Sequence, residues 1–293
     1  MPTVVSLDAP LGARIEGLDP LQPLTPESAA LLDRALADHL LVVIPGVPMT
    51  PEQTRDLSRA FGKPRQQLLR RKHANQVPEV SIMVSTLMDD GSTDKTVYRA
   101  EDWHTDDSFF EVPAKATLLH SIEIPSRGGA TWFCNMHTVY EALPEATRRR
   151  IDSKRAIHGY DTPRARNRPS PRTPQEIAET PDVEHPLVRT HPETGTRAVW
   201  FHKGKTERVI GMTPEETQDF LQDLTERITQ PQFCYAHEYQ KGDLLIIDDR
   251  ASLHKAGFDF DHSQQVHGPS RGGHGSRICR KRDRFDRLTD GDL

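Results

Sequence analysis

Short apolar runs separated by turn residues dominate the hydrophobic pattern of the chain. The runs contain four or five residues and lie at 40–44, 80–84, 116–120, 130–133, 198–201 and 243–247. Their length and their content of β-branched residues favour strands over buried helices. The pattern therefore predicts a fold that is rich in short strands.

Four Thr-Pro pairs mark the starts of helices. They begin at Thr25, Thr50, Thr173 and Thr213, and a glutamate or glutamine follows each proline within two residues. Threonine can accept a hydrogen bond from a free backbone amide, and proline fits the first helical position. Apolar residues then recur at spacings of three and four, which predicts helices at 26–38, 51–61 and 214–229. Many strands with a few flanking helices indicate a mainly β fold of the sandwich or jelly-roll kind.

Composition excludes several classes of protein. The 293 residues fit a single domain, 1–293, and the balance of 38 basic and 43 acidic residues gives a net charge of -5, which does not favour nucleic acid or a membrane as partner. Three widely separated cysteines form no disulfide framework. With no signal-peptide pattern and no long apolar run, we expect a cytoplasmic protein that binds a small molecule. A homo-oligomer stays open.

Three segments lack a clear periodic pattern. Segments 65–102 and 160–185 are predicted to form lids, and the second contains five prolines and four arginines. Its arginines suit either an anionic substrate or a solvated surface. The tail, 262–293, is rich in glycine, serine and charged residues and is predicted to be irregular. Asp283 and Asp286 interrupt its basic residues, which argues against a nucleic-acid-binding tail.

The candidate chemistry lies in Trp103-His104-Thr105-Asp106. On a strand, His104 and Asp106 would project to the same face. A second histidine, His254, would complete two imidazoles and one carboxylate, a set that suits iron(II) with open coordination positions. Spacing alone leaves other interpretations open, namely a strand histidine bonded to a nearby aspartate, a zinc-dependent hydrolase and a non-catalytic metal-binding barrel.

Several ordered motifs surround this segment. They are Phe109 and Pro113 after the His-x-Asp, then Gly128-Gly129-Ala130-Thr131, with further blocks at 12–19, 61–64, 185–192 and 248–254. In these motifs the chain resembles the taurine and dichlorophenoxyacetate dioxygenase family of iron- and 2-oxoglutarate-dependent enzymes. The resemblance extends over about residues 10–260 and implies a double-stranded β-helix core, also called a jelly-roll or cupin-like core.

The resemblance also implies roles for individual residues. His104, Asp106 and His254 would bind Fe(II), and Thr131 would donate a hydrogen bond to a carboxylate of 2-oxoglutarate. The run from Asp248 to Arg250 would support the metal loop rather than bind the metal.

A cation is also needed to bind the distal carboxylate of 2-oxoglutarate, and arginine suits this role because it binds carboxylates bidentately. Family members carry Arg-x-x-x-Arg after the second histidine, whereas this chain has a lysine at the last position of Arg277-Ile278-Cys279-Arg280-Lys281. Arg280 is the first candidate for this clamp, with Lys281 and Arg277 as alternatives.

The implied reaction uses O2 to decarboxylate 2-oxoglutarate to succinate and CO2 while a small, anionic organic substrate is hydroxylated. Because Asp106 fills the carboxylate position, hydroxylation is favoured over halogenation. In the taurine branch an asparagine precedes the His-x-Asp, and here the matching residue is Ala100. The sequence is nearer to the aryloxyacetate branch.

Overall fold

Seventeen strands, six α-helices and a short 3-10 helix at Pro231–Phe233 lie in the described part of the chain. The computed structural model describes residues 2–70, 73–74, 77–83, 100, 102–165, 172–257, 259 and 273–279. The strands are β1 (Thr3–Ser6), β2 (Ala13–Glu16), β3 (Leu41–Ile44), β4 (Lys63–Arg65), β5 (His73–Ala74), β6 (Val77–Met83), β7 (Ala116–Ser121), β8 (Thr131–Asn135), β9 (Arg155–His158), β10 (Val183–Pro186), β11 (Val188–Thr190), β12 (Arg197–Val199), β13 (Thr206–Val209), β14 (Cys234–His237), β15 (Leu244–Asp248), β16 (Ser252–Ala256) and β17 (Gly273–Cys279). The helices are α1 (Pro26–His39), α2 (Pro51–Ser58), α3 (Met136–Ala142), α4 (Glu145–Ile151), α5 (Pro174–Ala178) and α6 (Pro214–Ile228).

The helices begin where the Thr-Pro pairs predict. Thr25, Thr50, Thr173 and Thr213 are N-caps, and the last three form capping boxes with the side chain three residues later. The three predicted helices are confirmed as α1, α2 and α6. Segment 160–185, in which the sequence shows no clear periodic pattern, contains α5, because the Thr173 capping box starts a helix even without a long apolar stripe.

The largest sheet places β15 at its centre. In the described residues its strands follow the order β1-β2-β3-β15-β7-β17-β6-β5, and β4 also pairs with β17. All five residues of β15 are buried. Leu244 and Ile246 pack in the cluster that includes α1, whereas Leu245 and Ile247 pack in the cluster on the other face. Burial on both faces explains why β15 is a continuous apolar run rather than an alternating one.

A smaller sheet packs across the second face. Its order is β14-β8-β16, with both pairs antiparallel. Phe133 of β8 and Leu253 of β16 share a core with Leu245 of β15 and with Leu221 of α6. The prediction of a mainly β fold with flanking helices is confirmed, and this layering positions the ends of β8 and β16 beside the large sheet.

The C-terminal tail departs in part from the prediction. Within 262–293, residues Gly273–Cys279 form β17, which pairs with β7 and β6. Ladder hydrogen bonds with strands on both sides compensate for the low strand propensity of its glycines, which is why sequence composition pointed to an irregular segment. The rest of this tail, Arg280 and Lys281 included, lies outside the described residues. No helix in the described part of the chain is long and apolar enough to cross a membrane.

Candidate metal centre

Direct backbone pairing joins the two candidate histidine ligands. The His104 amide donates to the His254 carbonyl at 3.0 Å, and the His254 amide donates to the His104 carbonyl at 2.8 Å. This antiparallel bridge places the two imidazole centroids 4.2 Å apart. The structure therefore brings together two segments that lie about half a chain apart in sequence.

Three donor groups converge at this bridge. One ligand atom each from His104, Asp106 and His254 lies within 4.8 Å of the others, and all three residues are buried. His104 Nδ1 is 2.7 Å from the carbonyl oxygen of Asp102, so Nδ1 carries the proton and Nε2 keeps its lone pair. Two neutral imidazoles and a carboxylate fit a divalent iron or zinc ion.

Asp249 holds the Asp106 loop in place. Asp249 Oδ1 accepts from the Asp106 amide at 3.0 Å, and Trp200 Nε1 donates to the Asp249 carbonyl at 2.9 Å. Thr117 Oγ1 lies 2.8 Å from Asp106 Oδ2 and 2.7 Å from Asp249 Oδ2, so its single proton is shared between two carboxylates. The predicted support by Asp249 is confirmed, since its side chain bonds to the backbone and neighbours of a candidate ligand.

Asp248 bonds to residues on both sides of the turn that precedes His254 and fixes that turn. Arg250 Nε donates to Asp248 Oδ1 at 2.8 Å, and His191 Nε2 lies 3.1 Å from Asp248 Oδ2. Burial alone would raise the pKa of Asp248, but Arg250 and His191 outweigh it and hold the pKa below its ordinary value. The carboxylate therefore stays charged and keeps the turn ordered.

Of the residues predicted to bind 2-oxoglutarate, the structure describes Thr131 and the backbone of Arg277, whereas Arg280 and Lys281 lie outside the described residues. Thr131 is buried on β8, and its Oγ1 lies 3.0 Å from the Tyr239 hydroxyl. Two residues along the same strand, Phe133 is the register partner of His254. The backbone of Arg277 lies on β17, where it pairs in register with Thr117.

Sequence reasoning missed His202. Its ring centroid lies 5.2 Å from that of His104, and its Nδ1 accepts from the amides of Gly204 and Lys205 at 3.1 and 3.2 Å. Burial, and then the neighbouring His104, lowers the pKa of His202 well below its usual value, so the ring is neutral with its proton on Nε2. The only sequence signal was a histidine directly after the apolar run 198–201.

Lys205 covers an aromatic cluster near the same loop. Its Nζ lies 3.8 Å from the Tyr160 ring centroid and 5.9 Å from that of Phe109. Leu68, Leu69, Phe109 and Tyr160 form this buried cluster, and Phe110 packs against it. A cation above apolar rings, three residues after His202, suits a ligand with an apolar body and an anionic end.

The comparison with protein families decides the affiliation. Residues 4–274 match the family described as "Taurine catabolism dioxygenase TauD, TfdA family". The chain belongs to this family. As a member of the TauD, TfdA family it is a dioxygenase that depends on 2-oxoglutarate, iron(II) and O2.

Named relatives agree with this affiliation. The chain is 32% identical over 270 residues to pentalenolactone F synthase of Streptomyces arenae, with 86% of this chain and 88% of the relative covered. It is 29% identical over 262 residues to the (S)-phenoxypropionate/alpha-ketoglutarate-dioxygenase of Sphingobium herbicidovorans, with the same coverage of both chains. A solved structure of a putative alpha-ketoglutarate-dependent 2,4-D dioxygenase from Burkholderia xenovorans superposes with a TM-score of 0.79 at 25% identity, covering 95% of this chain and 97% of that one.

Proposed function

We propose that His104, Asp106 and His254 are the iron ligands of this dioxygenase, and that it hydroxylates a small organic anion while 2-oxoglutarate is decarboxylated to succinate and CO2. The convergence of the three buried donor groups within 4.8 Å carries the proposal. Their chemistry matches the two-histidine, one-carboxylate set that leaves coordination positions open for other ligands.

Each protein group has a separate task in this proposal. Bound iron supplies the redox chemistry with O2. His104 and His254 present ring nitrogens, and the Asp102 carbonyl accepts from His104 Nδ1. Asp249 fixes the backbone of Asp106, so that the carboxylate is oriented before a metal arrives. Thr131 donates a hydrogen bond to a carboxylate of 2-oxoglutarate.

We further propose Arg277 as the clamp for the distal carboxylate of 2-oxoglutarate. Its register pairing with Thr117 supports this choice, because the Thr117 hydroxyl contacts Asp106. Arg280 and Lys281 remain the alternatives. Replacing each of the three by glutamine in turn should raise KM for 2-oxoglutarate by about 10–100-fold in R277Q only, since one charge-assisted, bidentate bond is lost. A normal KM in R277Q with a raised KM in R280Q or K281Q would reject Arg277.

The substrate class follows from the cation above the aromatic cluster. Lys205 would bind the anionic end of the substrate, and Phe109 and Tyr160 would contact its apolar body. The name of one relative, a phenoxypropionate dioxygenase, supports a carboxylate attached to an aromatic group. Ala100, whose carbonyl accepts from the Ala256 amide, offers no side-chain amide for a sulfonate.

Succinate release tests the reaction. Protein with Fe(II) and 2-oxoglutarate is offered aryloxy acids, other carboxylates, sulfonates and sulfate esters, with H104A as the inactive control. We expect succinate in the native protein and a weak visible absorption band on anaerobic addition of 2-oxoglutarate. If neither appears and zinc instead supports hydrolysis, the zinc-hydrolase alternative replaces the proposal.

A matched pair of lysine variants tests the substrate site. K205Q should raise KM for the best anionic substrate by about tenfold, the value of one charged contact, with KM for 2-oxoglutarate unchanged. K203Q removes a lysine two residues earlier on the same loop and should behave as the native enzyme. Equal effects in K203Q and K205Q would point to general electrostatics and contradict a specific contact.

The layered sheets and the likeness to solved dioxygenases support a jelly-roll core for the single domain, 1–293. The predicted lids, 65–102 and 160–185, lie in part outside the described residues, which leave out 71–72, 75–76, 84–99, 101 and 166–171. We expect the enzyme to act in the cytoplasm on a small molecule, without nucleic acid or membrane. Light scattering tests whether it forms a homo-oligomer.

A further inference from the structure

Two hydroxyl groups meet at Thr131, which lies on β8 two residues before the register partner of His254. Thr131 Oγ1 and the Tyr239 hydroxyl lie 3.0 Å apart, and either can donate to the other. Burial raises the pKa of Tyr239 to about 12, so the phenol keeps its proton at neutral pH. Each hydroxyl has one proton to give. If Tyr239 donates to Thr131, the Thr131 proton is left for a third group.

The surroundings of Tyr239 fix the position of its ring. Its ring packs edge-on against His237, at 4.9 Å between centroids and an angle of 84°. His237 is the register partner of Thr131, and its Nε2 lies 3.0 Å from Asp243 Oδ2. Asp243 Oδ2 also accepts from the Gln240 amide at 2.8 Å, which ties down the residue after Tyr239. The ring contact with His237 and the backbone contact at Gln240 together keep the phenol close to Thr131.

We infer that Tyr239 is a positioning residue for the co-substrate: its hydroxyl donates to Thr131 and thereby directs the Thr131 proton toward a carboxylate of 2-oxoglutarate. This inference rests on the proposed function, in which Thr131 binds that carboxylate. A donor that itself accepts a hydrogen bond is polarised and donates more strongly, so Tyr239 would raise co-substrate affinity without touching it.

Calorimetric titration of the Mn(II)-loaded protein with 2-oxoglutarate tests this pairing without turnover. Y239F should weaken binding about 3–10-fold, the value of one hydrogen bond, while Mn(II) affinity stays the same. T131V should weaken binding at least as much, and Y239F should add nothing in the T131V background. T131S keeps the hydroxyl and should restore the dependence on Tyr239. Y140F is the matched control, because that hydroxyl donates to Asp152 Oδ1 at 2.7 Å and contacts none of these residues in the described structure, and it should bind normally.

The outcomes separate the inference from the proposed function. Native Mn(II) protein that does not bind 2-oxoglutarate overturns the proposed function, and the inference with it. If T131V weakens binding but Y239F does not, or if the two effects simply add, the role of Tyr239 is overturned while the proposed function stands. Melting temperatures within a few degrees of native for Y239F and Y140F show that both folds are intact.

A second, independent feature is a pair of thiols on the same small sheet. Cys134 of β8 and Cys234 of β14 are direct register partners, and both are free thiols. Opposed residues of antiparallel strands have Cα atoms about 4.5–5.5 Å apart, within the span of a disulfide. Both Sγ atoms lie near the Ile228 carbonyl oxygen, at 3.4 and 2.9 Å.

The two thiols differ in reactivity. Cys134 is fully buried, and burial raises the pKa of its thiol well above the usual value. Cys234 is half-buried, and the neighbouring Cys134 thiol, together with the charge of Lys255, lowers its pKa despite partial burial. The thiolate is the form that reacts with oxidants, so Cys234 is the first site of attack.

The geometry points to Cys134 and Cys234 as an oxidisable dithiol that closes to a disulfide when a peroxide is present. The Cys234 thiolate attacks hydrogen peroxide to give a sulfenic acid and hydroxide. Cys134 Sγ then attacks the Cys234 sulfur, its proton and the departing hydroxide leave as water, and the S–S bond forms. Two electrons pass from the two thiols to one peroxide.

Mass spectrometry of the C279S protein, in which only this pair remains, tests the second proposal. Hydrogen peroxide should remove two hydrogens per chain, and a reductant should reverse the loss. After peroxide treatment and denaturation, the Cys134 thiol of C234S should still react with an alkylating reagent. In C134S, the Cys234 thiol has no partner thiol on β8 and should be oxidised to sulfinic acid. Sulfinic acid at Cys234 with Cys134 still a thiol in the C279S protein would overturn the proposal.

Discussion

His158 offers a quantitative test of how the core treats a titratable group. The side chain lies on β9, is fully buried, and neither ring nitrogen has a hydrogen-bond partner in the described part of the chain. The rings of His185 and Trp200 pack against it at 5.5 and 5.1 Å. Burial, followed by the charges of His185 and Arg189, lowers the pKa of His158 well below its usual value.

The stability cost follows from this lowered pKa. Above about pH 6.5 the ring is neutral in both the folded and the unfolded chain, so His158 makes no pH-dependent contribution. Below that pH the unfolded chain binds a proton that the folded chain rejects, and stability falls as pH falls. One such group costs about 1.4 kcal/mol at pH 5.5, and the loss approaches about 1.4 kcal/mol per further pH unit until the folded pKa is reached.

Urea unfolding of the metal-free protein between pH 8 and pH 5.5 measures this cost. H158F and H158M cannot bind the proton. On going from pH 8 to pH 5.5, the free energy of unfolding of each variant should therefore rise by about 1.4 kcal/mol relative to that of the native protein. A packing defect lowers the free energy of unfolding of a variant equally at every pH, so it does not alter the difference between pH 8 and pH 5.5. Other histidines with a lowered pKa, such as His120 and His237, act in all three proteins and cancel. Parallel pH profiles for native and variant proteins would refute the reasoning.

Two further predictions concern the supports of the fold and the site. D249N keeps an acceptor for the Asp106 amide but loses the oxygen that accepts from Thr117. The Mn(II) affinity, measured by chelator competition, should therefore fall about 10–100-fold. Unchanged affinity would contradict a supporting role for Asp249. T213A removes the acceptor for the Glu216 amide at the start of α6, so urea unfolding should show a loss of about 1 kcal/mol, and an unaltered midpoint would mean that the cap contributes nothing.

Local signals in the sequence were enough for much of the fold. The apolar run that became β15 stood out because both of its faces are buried, which gives a strand no polar positions. The start of α6 was visible because Thr213 and Glu216 satisfy each other's backbone amides within four residues. The His104-x-Asp106 pair was found for the same reason, since its members are two residues apart.

Contacts between distant segments could not be found in this way. Tyr239 meets Thr131 because β14 pairs with β8, and His202 meets His104 although about a hundred residues separate them. Neither residue belongs to a recognisable spacing. β17 was missed because its glycines carry no apolar alternation, and its place depends on ladders with β6 and β7. Even the meeting of His104 with His254 needed the family resemblance, because half of the chain separates them.

The turn between β15 and β16 links these observations into one physical account of the metal centre. The Asp248 carboxylate bonds to Arg250 and His191 and fixes the turn. The Asp249 carboxylate accepts from the Asp106 amide. Five residues later the same chain supplies His254, which pairs with His104. This connection between the large and the small sheet thus carries one candidate ligand and positions the other two. All three ligand side chains remain in D249N, so a loss of metal affinity would measure what Asp249 contributes from outside the ligand set, both by positioning Asp106 and by its own negative charge.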